Sequence, residues 1–261
     1  MANGFGQGFS KNDLGIGGGF NFGFYKAPVS PIVDTGLVLH YDIGNAASYP
    51  GSGATVTDLR GNSNASLENS PAYSSGYLTF NGVNQALKTN TALDSQFPGS
   101  PPADEITSVF LWVYPIGAGN ILVERGTSSY TDFNWYASNI DITAGGQFKL
   151  SAWHNVVPYT AVVTSAAQAF NNWYYVGWTY NGSTLNAYIN GASVGSVSLD
   201  RFAPYNNGTN LFYSIAAPSE TNTGVEGYCN MSLGQFQVYN TALTPADVTQ
   251  NFRAGQRTYG V

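Results

Sequence analysis

Side chains suited to acid–base or nucleophilic chemistry are few: 15 carboxylates, two histidines and one cysteine in 261 residues. Hydrolysis of a glycoside with retention needs two carboxyl groups about 5 Å apart. A strand supplies them by alternation, because residues two apart share a face. No such run occurs. Asp104 and Glu105 are adjacent, which sends them to opposite faces of a strand, and Glu220 and Glu226 sit in a polar stretch without a partner at that spacing. His40 falls inside an apolar run and His154 follows a tryptophan, neither beside a nucleophile motif. Cys229 has no second cysteine to pair with and reads as a small buried hydrophobe. Catalytic residues are therefore expected to be absent, and the chain is expected not to be an enzyme.

Sugar recognition asks for different groups: aromatic rings to stack on pyranose faces and amides or hydroxyls to meet the sugar hydroxyls. "FNWYASN" (133–139) and "SAWHN" (151–155) supply both, with Trp135, Tyr136 and Trp153 as the candidate stacking residues. Aromatics on strands first of all fill cores, so a core role for all three stands beside the carbohydrate role.

The elements that must carry these residues are short and β-like. Glycine (31), tyrosine (18) and phenylalanine (15) are abundant, and brief apolar runs alternate with turn residues. "LVLHYD" is a strand followed by a long polar loop, and "GYLTFNGVNQALKT" reads as two strands around Asn81-Gly82. "ITSVFLWVYP" is apolar at both parities, as in a strand covered on both faces. "GNILVERG" is a further strand, and "WYASNIDITAGGQFKLSAW" reads as a strand, a Gly-Gly turn and a strand. In "NNWYYVGWTYNGSTLNAYINGASVGSVSL", Val176, Trp178 and Tyr180 share one face and Leu185, Ala187 and Ile189 the next, with Asn181-Gly182 and Asn190-Gly191 as turns. That is a β-meander. After the strand "MSLGQFQVYN" comes one helix, capped by Thr244, opened by Pro245 and Asp247, and expected to stop at Gly255. Val248 and Phe252 give it an apolar face.

Charge excludes some partners. Charged residues make up 9% of the chain, against roughly 25% in an ordinary soluble domain. None lies between Ser151 and Leu199. Net charge is −6 and no Lys/Arg cluster occurs, which argues against a nucleic-acid partner. No run approaches the ~18 apolar residues of a membrane span, and the opening "MANGFGQGFSKN" lacks the continuous apolar segment of a Sec signal. So sparse a charge implies a surface rich in Asn, Ser and Thr, much of it covered by partners.

Residues 1–35 stand apart. Met1–Lys26 holds eight glycines and six aromatics, Phe5, Phe9, Phe20, Phe22, Phe24 and Tyr25, and Pro28 and Pro31 close the segment. Glycine loses the most backbone freedom on ordering, so the segment is expected to be an extended arm, with a reach on the order of 110 Å. Its rings then serve as apolar anchors in a neighbouring molecule, each contributing about 1.5–3 kcal/mol when buried. Residues 36–261 are expected to form one domain.

Four blocks in order, "YLTFNGVNQALKT", "ITSVFLWVYP…NILVERG", "NNWYYVGWTYNGSTLNAYINGASVGSV" and "LGQFQVYNTALTPADVTQNF", resemble the laminin-G-like domains of the concanavalin A-like lectin/glucanase superfamily. The third block matches the family's meander at Trp173, Val176, Thr179, Tyr180, Gly182, Leu185, Tyr188 and Gly191, and the last matches its closing strand and helix at Phe236, Tyr239, Asn240, Ala242 and Leu243. The resemblance implies an all-β fold, a two-sheet antiparallel jelly-roll sandwich of concanavalin A-like type, with the N-terminal arm and one short C-terminal helix added. It also implies that loop Asp and Asn oxygens sometimes hold calcium. Asp42, Asp58 and Asn62 are the candidates here, although Asx residues in glycine-rich loops more often brace their own turns.

"LVLHYDIGNAASYPGSGATVTDLRGNSN" is similar to an opening segment of such domains in tailed-phage virion proteins, matching at Asp42, Gly44, Asn45, Tyr49–Gly53, Asp58, Leu59, Gly61 and Asn62 and departing at Ile43 and Arg60. The function this implies is a virion structural protein: a capsid decoration or cement subunit, or a tail or fibre subunit. It would dock on other virion proteins through its arm and form a homo-oligomer. The alternative is a lectin-like module for host-surface glycans.

Overall fold

The structure, a computed structural model, describes residues 30–97, 106–125, 136–153, 160–198, 211–217 and 227–261, with only the backbone at 125, 136, 137, 153, 160 and 161. Two antiparallel sheets face each other, as the alternating apolar pattern and the family resemblance both predict. The first runs β14 (Ala192–Ser198), β13 (Thr184–Ile189), β12 (Tyr174–Tyr180), β7 (Thr107–Pro115), β16 (Asn230–Tyr239), β5 (Tyr77–Asn81) and β4 (Ala72–Ser74), with β1 (Leu37–Asp42) paired to the far half of β16. The second runs β11 (Thr160–Ala167), β10 (Gln147–Trp153), β9 (Tyr136–Ile142), β8 (Gly119–Arg125), β15 (Phe212–Ile215), β6 (Ala86–Thr89), β3 (Ala65–Glu68) and β2 (Thr55–Val56).

The meander forms as its turn chemistry dictates. Asn181 Oδ1 accepts the N–H groups of Ser183 and Thr184, and Asn190 and Gly191 both take positive φ, 51° and 79°. Those are the angles of the tight hairpin turn that matches strand twist. Val176, Trp178 and Tyr180 then stand opposite Ile189, Ala187 and Leu185, and all six enter the core between the sheets. The two strands around Asn81-Gly82 form too, but they do not pair with each other: β5 belongs to the first sheet and β6 to the second, so this turn carries the chain across the sandwich.

β7 is buried on both faces because a second apolar layer covers the outside of the first sheet. The helix α1 (Pro245–Tyr259) lies there. Thr244 and Asp247 form a reciprocal capping box at its start, with Asp247 N–H donating to Thr244 Oγ1 and Thr244 N–H to Asp247 Oδ2. The helix runs past the expected stop at Gly255 and ends at Gly260, which takes the left-handed conformation. Gly255 has another use. A β-carbon there would sit 2.3 Å from Trp112 Nε1, so its absence lets the helix backbone rest on the indole. Ile32 and Val33 pack into the same layer, and Val33 N–H donates to Asn251 Oδ1 at 2.7 Å. Residues 30–35 are thus joined to the sandwich.

Candidate functional site

The two outward-facing surfaces of the sandwich differ in chemistry, and the difference follows from strand register. In the second sheet Leu122, Ile140 and Leu150 point into the core. Their neighbours therefore point outward, because a strand alternates its side chains. Asn120 stands opposite Asp141, Asp141 opposite Lys149, Val123 opposite Asn139, and Asn139 opposite Ser151, while Ser214 on β15 flanks Val123. An amide, carboxylate, hydroxyl and ammonium set is thus gathered on three adjacent strands and one neighbour.

This polar set is a floor and not a solvated face. Asn120, Asn139, Asp141, Ser151 and Ser214 are all buried. Lys149 stands at the rim, its ammonium 3.8 Å from Asp141 Oδ2. Asn139 is 8% exposed, and its amide oxygen is buried without a hydrogen-bond partner. Leaving a buried acceptor unmatched costs about 1–3 kcal/mol. A strand position that a valine would fill at no such cost instead carries an acceptor, which is what a site for an external donor requires.

Glu124 is one residue from Val123 and faces the other way, into the core. Its carboxyl accepts from the Ser138 and Tyr213 hydroxyls, the latter at 3.0 Å. Burial pushes its pKa up to about 7, against the pull of both hydrogen bonds. Glu124 and Asp141 therefore lie on opposite faces of one sheet, and the two do not form a carboxylate pair across a shared cleft. Cys229 is buried close to Asp141; burial chiefly, and that carboxylate second, push its thiol to about 12, so it stays protonated.

The long loop after β1 is braced by the residues singled out for calcium. Asp58 Oδ1 accepts the N–H groups of His40 and Arg60, and Oδ2 those of Asn62 and Ser63, at 2.7–3.1 Å. Asn62 donates its side-chain amide to Val38 O, and Asp42 Oδ1 closes a turn on Gly44 N–H. A cation at Asp58 would have to displace four hydrogen bonds to backbone, so the three residues do not fit a Ca²⁺ site. Among the described residues no group of three or more His, Cys, Asp or Glu side chains is placed to hold a metal ion. His40 is largely buried, which lowers its pKa and keeps it neutral.

Of the aromatic candidates, Trp135 lies outside the described residues. Tyr136 begins β9 and Trp153 ends β10, opposite Arg125 and Thr160, so the backbone brings both to one end of the second sheet. Phe5, Phe9, Phe20, Phe22, Phe24 and Tyr25 lie outside the described residues, as does His154. The floor itself escapes sequence reasoning. Its signal is present in "SNID" and "KLSA", where polar residues alternate with apolar ones on adjacent strands, but only the pairing register shows that they converge.

A family model described as the concanavalin A-like lectin/glucanases superfamily, of laminin-G type, matches residues 75–249, more than half of the chain. The chain belongs to that superfamily. No curated protein matches the sequence. Among solved structures, the chain resembles a Trypanosoma rangeli sialidase in complex with sialic acid, with a TM-score of 0.62 and 15% identity over 89% of this chain and 36% of that one. It also resembles the binding domain of botulinum neurotoxin DC in complex with rat synaptotagmin II, with a TM-score of 0.59 and 13% identity over 84% and 51%. The same neurotoxin domain in complex with SialylT gives a TM-score of 0.58 at 13% identity over 84% and 51%. The chain spans about a third to a half of these proteins, and at such identities the likeness is one of fold.

Proposed function

We propose that the chain is a non-catalytic, lectin-like module that binds a hydroxyl-rich ligand, a glycan, over the polar floor of the second sheet. The observation that carries this reading is the buried, unmatched amide oxygen of Asn139, set among Asn120, Asp141, Ser151 and Ser214. Sugar hydroxyls both donate and accept, so they suit a floor of mixed amides, hydroxyls and one carboxylate. The superfamily's lectin members and the sialic acid in one structural neighbour make a glycan a natural candidate class. The opposed faces of Glu124 and Asp141 support binding without hydrolysis, since retaining chemistry needs both carboxyls about 5 Å apart on one side of the bond.

The test is a glycan array carrying neutral and sialylated structures, probed with the full chain and with Asn139→Ala. Selective binding by the parent, lost in the variant, is the expected result. An array silent for both would remove the glycan reading.

A second reading concerns where the module works: a structural subunit of a tailed-phage virion, docked through residues 1–29. It is favoured by the resemblance of the opening segment, whose matching residues Asp42, Asp58 and Asn62 all brace one loop. Mass spectrometry of purified particles tests it by presence and copy number. Absence from the particles would exclude it.

A further inference from the structure

The two lateral edges of the sandwich are built differently. On one side the sheets end in β4, three residues long, and β2, two residues long. Strands so short offer little to an incoming chain, a common protection for sheet edges. On the other side they end in β14, seven residues long, and β11, eight residues long. These two lie within the stretch Ser151–Leu199 that contains no acidic or basic side chain, and neither contains proline. One bulge apiece, at Val194 and between Thr164 and Ala167, is their only defence. Every side chain of β14 is exposed or half-exposed in the single chain, so nothing described in its own fold covers it.

Residues 30–33, which follow the arm, are anchored near this edge. Gln250 donates to Pro31 O at 2.8 Å and Asn251 accepts from Val33 N–H. On the same turn of α1, Thr249 donates to Gly191 O and Phe252 packs on Gly191, at the head of β14. The arm's root and the open strand are therefore fixed to one helical turn. The arm also carries a strand pattern: Phe20, Phe22 and Phe24 alternate with Gly19, Asn21 and Gly23, and no charge falls between Leu14 and Tyr25. Period two is the spacing of a β-strand with one apolar face.

We propose that residues 19–25 of one copy add as an antiparallel or parallel strand to the free edge of β14 in a second copy, so that the chain assembles by exchanging arms. Backbone hydrogen bonds supply the attachment, and the three phenylalanines on one face supply the specificity, as in other strand additions. Twenty-nine extended residues reach on the order of 95 Å, ample for a neighbouring molecule. The inference rests on residues 1–29 being a docking arm and is independent of the glycan reading.

The test uses the full chain and Ser196→Lys, which places a charge on exposed β14 without touching the core. Light scattering is expected to show an oligomer for the parent and a monomer for the variant, with matching circular dichroism melts. Removal of residues 1–29 is expected to give the same monomer. In a mixture, Phe22→Cys and Ser196→Cys proteins are expected to join through a disulfide between different chains. A monomeric parent, or an oligomer that survives Ser196→Lys, overturns the proposal. So does a disulfide confined to one chain of the doubly substituted protein. If the arm is needed for assembly but no disulfide forms between the two substituted positions and β14 amides exchange freely, docking by the arm stands and its placement on β14 falls.

Discussion

The outer faces of the two sheets are both buried, yet by opposite means. The first sheet presents Phe110, Trp112, Tyr175, Tyr188 and Tyr239, and the chain seals them with its own helix, down to a glycine at 255 that admits the Trp112 ring. Rings there stack within 4.5–5.7 Å of one another. The second sheet presents amides, hydroxyls and a carboxylate, and retains an acceptor on Asn139 that is not matched. The lesson is that burial alone does not separate structural from functional surface. What separates them is whether the buried groups are satisfied by their own chain.

The comparison breaks most visibly on the aromatic side. Trp112→Ala, which removes the ring between Tyr175, Phe252 and Tyr259, is expected to cost about 3–5 kcal/mol in denaturant melts and to leave glycan affinity alone. A loss of affinity as large as the loss of stability would show that the two faces are not independent.

The inner side of the polar sheet responds to pH. Glu124 has a folded pKa raised from 4.5 to about 7, so its favourable contribution is complete below about pH 4.5 and is lost as pH rises through 7. At 1.36 kcal/mol per unit, the effect of this one group is on the order of 3 kcal/mol. Glu124→Gln is expected to flatten that part of the stability profile, measured by urea melts from pH 4 to 8. An unchanged slope in the variant would assign the pH dependence elsewhere.

Asn139→Ala sharpens the contrast further. Removing an unmatched buried acceptor is expected to leave stability unchanged or to raise it by about 1 kcal/mol, while ligand binding falls. Smallest of all is the effect of chelation. Because backbone N–H groups occupy both oxygens of Asp58, EDTA is expected to leave the melting temperature where it stands in buffer. A drop would restore the loop as a calcium site.

Much of the fold is legible in the sequence because local chemistry and global topology agree. The Asn-Gly turns set the meander register, the capping box sets the helix start, and the two-sided apolar run of β7 announces a layer on each face. Gly255 misleads because a helix-stopping residue serves instead as a contact for an indole that lies far away in sequence. β2, β3, β4, β11 and β15 are not foreseeable in this way: two to four residues carry no period in four of them, and β11, "TAVVTSAA", lacks the alternation of a half-buried strand. The polar floor depends on long-range pairing among β8, β9, β10 and β15, which spacing within any one segment does not encode.

The polar face is the one that binds, and the aromatic face is not. The most direct measurement is calorimetric titration of the strongest array glycan into three full-length proteins: the parent, Asn139→Ala, and Gln235→Ala on the outer face of the first sheet. The expected result is at least a roughly tenfold weaker Kd for Asn139→Ala, the loss of one good hydrogen bond, with Gln235→Ala indistinguishable from the parent. Parent-like binding by Asn139→Ala, or a loss confined to Gln235→Ala, would contradict it.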